Sequence, residues 1–193
     1  MKYKFRKSYS TPFFSIEEGF EEDVDYNSSQ DHPYYRINSL DSVICCAMTQ
    51  IGEFILVNQY RPCINSVTLE LPAGTLLADE SPILAANREF EEETGMKCNF
   101  ISLGEFHLMV NRINSKEHIF FGFEPEIQSG KSPENGIEVK KILRSDLVKL
   151  SINGGYKQIA GLGVIQMASA FLGLDILTSD MEDISKQFSS KFN

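Results

Sequence analysis

Of the four glutamates in the run REFEEETG, Glu89, Glu92 and Glu93 are spaced to act together, with Arg88 directly ahead of them and Glu80 a short distance upstream. On a helix, residues three and four apart share a face, so these spacings place three carboxylates on one side. Like charges so placed on an exposed helix repel by roughly 0.2–0.5 kcal/mol per pair. A bound dication reverses that sign, because Mg²⁺ and Mn²⁺ take oxygen ligands, and Mg²⁺ commonly uses one or two carboxylates together with substrate phosphates. The residues alone also allow a plain solvated acidic face.

The element that must carry these groups has marks at both ends. Ser81-Pro82 is a helix start, since serine can satisfy free backbone N–H groups and proline at the first helical position has no N–H to leave unpaired. Gly95 suits the left-handed residue that closes a helix, which puts the end near Thr94. Ile83, Leu84, Ala86 and Phe90 read as the apolar stripe that seats it.

Gly74, Glu80, Arg88, Glu89, Phe90, Glu92, Glu93, Gly95 and Met96 together resemble the Nudix box, with Phe90 and Met96 in slots the pattern gives to aliphatic residues. The run before it, QYRPCINSVTLELPAG, is similar to the segment that precedes the box in the ADP-ribose pyrophosphatase and nucleoside-diphosphate-sugar hydrolase branch. The resemblance implies that Glu89, Glu92, Glu93 and the backbone carbonyl of Ala73 bind Mg²⁺, or Mn²⁺ in its place. It also implies that Arg88 orients the glutamates, that Glu80 steadies the loop, and that Glu70 and Gly74 meet the substrate or order its loop. Arg61 becomes a candidate for the diphosphate, since a guanidinium fork suits phosphate oxygens.

A chain of 193 residues supports one domain with an extension. Its formal charge of −9 argues against a surface for the phosphate backbone of nucleic acid, which needs clustered Lys and Arg. Cys45, Cys46, Cys63 and Cys98 lack metal-ligand spacing and read as buried reduced thiols. The basic N-terminus leads into acidic residues instead of an apolar leader, and no stretch reaches membrane-spanning length, so a cytoplasmic protein is expected.

Residues 1–40 read as two or three short strands in a small sheet, broken by a polar run in which Asn27-Ser28-Ser29 and Pro33 mark a loop. Tyr34, Tyr35 and Arg36 are ordinary strand residues or line a cleft for a base by stacking or cation–π contact. In the branch that the chain resembles, such a sheet builds a homodimer and part of the base pocket. SVICCAMT and EFILVNQY read as a hairpin turning at Gln50-Ile51-Gly52.

Beyond the box, 99–108 and 118–123 read as strands, and 124–136 as a Pro/Gly/Ser-rich loop. Arg112 stands where ADP-ribose pyrophosphatases typically carry a proline. The tyrosine favoured nearby by diadenosine polyphosphate hydrolases is also absent. His107 and His118 read as structural, because this metal chemistry prefers oxygen. In relatives the later loop supplies a glutamate as general base; Asn135 aligns near that position, and Glu134 beside it is the choice here, with Glu138 on the following strand as the neighbour to weigh. Ser145 reads as the cap of a short helix, and 157–172 as a longer one with Ile159, Leu162, Ile165, Met167, Ala170 and Phe171 inward. The tail 179–193 is a final helix or a frayed end.

Assembled, the elements resemble the Nudix α/β/α sandwich with a mixed, curved sheet. Residues 1–40 form a β extension, 41–175 the hydrolase domain and 176–193 a tail. The expectation is a metal-dependent pyrophosphohydrolase acting on a small nucleoside diphosphate derivative, with ADP-ribose leading, and with neither nucleic acid nor membrane as partner. The alternatives are a UDP- or GDP-sugar hydrolase and a non-catalytic ligand sensor. Isopentenyl diphosphate isomerase lacks its distinctive Cys and Glu contexts here.

Overall fold

The computed structural model describes residues 2–22 and 32–192, which form two compact units. The smaller gathers Met1–Asp41 with Phe106–Glu117, and the larger holds Ser42–Glu105 and His118–Asn193.

In the smaller unit, β1 (Tyr3–Ser10), β2 (Phe14–Glu21) and β3 (Tyr34–Ser39) form an antiparallel sheet in that order. Thr11 makes the first turn, its hydroxyl oxygen accepting from the amides of Phe13 and Phe14 at 3.1 and 3.0 Å. The acidic run 17–22, read from sequence as broken polar chain, is largely strand β2, because alternation still buries Ser15 and Glu17 on one face. The Asn27-Ser28-Ser29 loop lies outside the described residues. Segment 106–117 joins the sheet through a parallel bridge between Ile37 and Ile113.

The larger unit is built on a sheet of β4 (Ser42–Met48), β5 (Glu53–Arg61), β6 (Ser66–Glu70), β7 (Ala73–Thr75), β8 (Met96–Phe106), β9 (Glu117–Ile127) and β10 (Ile137–Leu143). The main path runs β10-β5-β4-β9-β8, with β6 on β5 and β7 on β4. Its helices are α1 (Pro82–Thr94), α2 (Arg144–Asn153), α3 (Ile159–Leu172) and α4 (Met181–Phe192).

The pleat of β4 divides the core in two. Val43, Cys45 and Ala47 pack with Ala85, Ala86 and Phe90 of α1, whereas Ile44, Cys46 and Met48 pack with Val164, Ile165 and Ala168 of α3 and with α4. The α/β class and the helix–sheet–helix layering expected from sequence are therefore present. Among the described residues, no helix is long and apolar enough to cross a membrane.

Several local readings change. In α1 the first-turn Ile83 and Leu84 are exposed, and Ala85 joins Ala86 and Phe90 inside. In α3 Ile159 is 76% exposed, and the buried line is Gly161, Val164, Ile165, Ala168 and Leu172. Ser81 occupies the cap position without a side-chain bond, and α2 begins at Arg144, one residue before Ser145. Strand β9 outruns its expected end at Phe123 because Glu124 takes a left-handed turn at φ 58°, which lets the chain pass Pro125. Cys63 is exposed; Cys45 and Cys46 are buried, which pushes their thiols up and keeps them protonated. The tail is helix α4, held by Ile184 and Phe188.

Candidate active site

Helix α1 closes on Gly95 in the left-handed conformation, φ 69°, with its amide bonded to the Glu91 carbonyl. Its inner face brings Glu93 to 5% exposure, and Glu93 Oε2 accepts from the Ala73 amide at 3.0 Å. One turn earlier, Glu89 lies against the Gly74 backbone so closely that a Cβ at Gly74 would sit 1.9 Å from its Cδ. Gly74 thus makes room for a carboxylate. Glu92 is the most solvent-accessible of the three.

Arg88 ties the cluster together. It grips Glu80 through Nε and Nη2 at 2.9 and 2.8 Å, and Nη2 also reaches the Thr75 carbonyl at 3.1 Å. Its Nη1 is shared between Glu89 at 2.8 Å and Glu92 at 3.2 Å. Glu80 is held down at about 2 by the Arg88 hydrogen bonds and then by the Leu77 amide, and the same pairing raises the Arg88 guanidinium. Glu93 moves the opposite way. Burial, reinforced by the charge of Glu89 against the lowering effect of the Ala73 amide, pushes it up to about 7.

The second half of the site comes from the sheet. Ile55 packs on the α1 side, and Val139, opposite Val57, packs there too, so alternate residues Val57, Gln59 and Arg61 face α1. Across β6, Glu70 opposes Val57 and Thr68 opposes Gln59. Arg61 grips Glu70 with Nε and Nη2 at 2.9 and 2.6 Å, and the Thr68 hydroxyl donates to the same carboxylate. Burial works to raise Glu70, but those hydrogen bonds outweigh it and leave it lowered. Arg61 and Glu93 also sense each other's charge.

The later loop is docked on the end of α1. The Glu134 amide donates to the Glu92 carbonyl at 2.8 Å, that of Gln128 to the Gly95 carbonyl at 3.1 Å, and Lys131 pairs with Glu91 at 3.2 Å. Glu134 then lines an open cleft of about 680 Å³ with Arg88, Glu92 and Lys131. Glu138 instead opposes Asn58, on the other face of the sheet, and pairs with Asn58 and Lys140.

Arg36 belongs to the smaller unit. It pairs with Glu17 at 2.8 Å, stacks over Phe5 at 3.6 Å, and lines a groove with Tyr34, His107, Arg112 and Asn114. Two groups escape the sequence reading. Thr68 could have been found by its two-residue offset from Glu70, while the Thr75 carbonyl on Arg88 leaves no trace in residue types.

The donor set suits a hard divalent cation, being all oxygen with one carboxylate disfavoured as an anion in its present surroundings. Among the described residues no three acidic or imidazole side chains converge tightly enough to hold an ion as they stand. Arg88 Nη1 donates to one oxygen of Glu89 and one of Glu92.

Residues 39–150 match the family described as NUDIX domain. The ADP-ribose pyrophosphatase of Bacillus subtilis (strain 168) is 29% identical over 113 residues, covering 56% of this chain and 61% of that protein. A methanol dehydrogenase activator of Bacillus methanolicus is 34% identical over 77 residues, covering 40% and 42%. The ADP-sugar pyrophosphatase of Mus musculus is 58% identical over 43 residues, covering 22% and 20%. The chain thus spans less than two thirds of each of these relatives. The crystal structure of an ADP compounds hydrolase is similar with a TM-score of 0.68 at 18% identity, covering 90% of this chain and 95% of that one, a likeness of fold.

Proposed function

The chain belongs to the NUDIX domain family, and from that premise we propose that it hydrolyses the diphosphate linkage of a small nucleoside diphosphate derivative. ADP-ribose, cleaved to AMP and ribose 5-phosphate, is the leading substrate. The observation that carries this reading is the facing of two halves across one side of the sheet: carboxylates Glu89, Glu92 and Glu93 from α1, and the Arg61–Glu70 pair from β5 and β6. Two relatives that share parts of this chain are named for ADP-ribose and ADP-sugar pyrophosphatase activity.

In this mechanism, Arg61 fixes diphosphate oxygens, Arg88 holds Glu89 and Glu92 in orientation, and Glu80 and Thr75 hold Arg88. The backbone at Gly74 lets Glu89 and substrate approach closely, and Glu70 keeps the Arg61 fork aimed. A divalent cation, Mg²⁺ or Mn²⁺, would be held by Glu89, Glu92, Glu93 and the Ala73 carbonyl, and when bound supplies charge neutralisation and a more acidic water. Glu134 takes the proton of the attacking water. The water oxygen bonds to one phosphorus as the bridging P–O bond breaks, and the departing phosphate carries away that electron pair. Arg36, with Tyr34 beside it, holds the base by cation–π contact and stacking. The protein works as a cytoplasmic homodimer and uses neither nucleic acid nor membrane.

Arg112, standing where the branch typically has proline and lying 4.9 Å over the Tyr34 ring, favours a second reading in which the sugar nucleotide carries uracil or guanine. Turnover of ADP-ribose, UDP-glucose and GDP-mannose with Mg²⁺ and with EDTA tests both. EDTA-sensitive release of AMP from ADP-ribose is expected; no metal-dependent turnover of any of the three would sink the reading.

A further inference from the structure

Strand β6 ends at Glu70 and β7 begins at Ala73, so Leu71 and Pro72 join two strands without belonging to either. Leu71 is fully buried on the α3 side of the sheet, and a buried backbone amide needs an acceptor. It finds one far along the chain. The Leu71 N–H donates to Gln158 Oε1 at 2.9 Å. A backbone N–H can only donate, so the carbonyl end of the Gln158 side chain is the end that faces it. The Tyr156 hydroxyl donates to the same oxygen at 3.1 Å, and Tyr156 is itself buried, with its amide on the Leu150 carbonyl.

Gln158 stands at the N-cap of α3, yet its side chain makes no bond to that helix. Gly161, in the first turn, leaves the space it needs: a Cβ there would lie 1.9 Å from the Tyr156 hydroxyl and 2.7 Å from Gln158 Oε1. The joint between the strands is thus held at each of its residues. Leu71 gives its amide to Gln158, the Pro72 carbonyl accepts from the Cys45 amide at 2.8 Å, and Ala73 gives its amide to Glu93 at 3.0 Å. Glu70, gripped by Arg61, stands immediately before the joint, and the Ala73 carbonyl proposed for the cation stands at its end.

We propose that Gln158 is a positioning residue: from the side of the sheet opposite the carboxylates it fixes the Leu71–Ala73 joint, and thereby the Ala73 carbonyl on which cation binding draws. This deepens, and rests on, the metal-dependent reading above. Groups that orient a ligand tune affinity although they never touch the ion.

The test titrates the substrate-free protein with Mn²⁺ and reads the free ion by electron paramagnetic resonance, so that no turnover is needed. Gln158→Leu, which removes the acceptor, should bind Mn²⁺ about tenfold or more weakly than wild type. Gln158→Glu keeps an oxygen for both donors and should restore most of that affinity. Tyr156→Phe, which spares the Leu71 bond, should bind as wild type does. In kinetics, the loss in Gln158→Leu should shrink as Mg²⁺ is raised, with KM for ADP-ribose near wild type at saturating metal. Gln158→Met takes the place of Gln158→Leu if the latter does not fold. Undiminished Mn²⁺ affinity without the acceptor, or an equal loss in Gln158→Glu or Tyr156→Phe, overturns the assignment of Gln158 and leaves the hydrolase reading standing. A wild type that binds no Mn²⁺ overturns the metal-dependent reading and this inference with it.

Discussion

At the residue scale the chemistry depends on crowding that a few atoms would spoil. A methyl group at Gly74 would meet the Glu89 carboxyl carbon at 1.9 Å. Gly74→Ala should therefore cost about 1–3 kcal/mol of stability by overpacking and lower kcat/KM by at least tenfold, read by melting and steady-state kinetics together. Glu92→Gln should cut turnover by orders of magnitude while leaving Tm nearly unchanged, since Glu92 is the exposed member of the set. Comparable activity in that variant would refute its role. Glu93 carries a pH signature. Its folded carboxyl is raised to about 7 from an ordinary 4.5, chiefly by burial. Between those values the native state binds more protons than the unfolded one, so this group makes the metal-free protein less stable as pH rises from about 4.5 to 7. Glu80 works in the opposite sense, favouring the fold above its ordinary range and losing that effect as pH falls towards about 2. Glu93→Gln in EDTA should consequently raise Tm at pH 8 and leave it little changed at pH 4.5. An equal change at both values would assign the effect to packing.

At the scale of elements, α1 and the loop that follows β9 form one working piece. Gly95 ends the helix at φ 69°, and the Lys131 carbonyl lies at an ordinary contact distance from where a Cβ would be, so Gly95→Ala is strained by backbone conformation and not by collision. A loss of about 1–2 kcal/mol is expected, together with faster amide hydrogen exchange at Glu134, whose N–H is held by the Glu92 carbonyl. The limits of α1 were legible in sequence because Pro82 and Gly95 act locally, and so was the β4–β5 hairpin. Which helical residues turn inward was less so. Leu84 and Ile159 are as apolar as their buried neighbours, and only the position of the sheet decides that Ala85 and Val164 are covered instead. The strand beyond Phe123 was hidden for a related reason: Glu-Pro-Glu reads as a break, and a left-handed glutamate turns it into a continuation. Of the site, the fixed spacing of the box brought the glutamates and Arg88 into view. The Arg61–Glu70 pair joins two strands, so it depends on how β5 and β6 are paired, which no local pattern reveals.

At the scale of the whole molecule, the residue proposed to hold the base, Arg36, belongs to the smaller unit. Arg36 is bound to the buried Glu17 and stacked on Phe5, so its removal would strand a charge as well as empty a groove. Arg36→Lys keeps a cation for Glu17 but removes the planar fork. It should raise KM for ADP-ribose about tenfold with kcat within a few-fold; an unchanged KM would detach this groove from substrate binding. A larger consequence follows from the one Arg88 nitrogen divided between Glu89 and Glu92. With a formal charge of −9, the protein draws cations of every kind from solution. Arg88 is a resident monocation on a covalent tether, present at its carboxylates at an effective concentration no dissolved sodium or potassium ion attains. A singly charged ion gains little by displacing it. Under the proposed metal-binding reading a doubly charged ion has more to gain at these carboxylates than a singly charged one, and sodium should compete for them more readily once Arg88 is replaced by an uncharged residue.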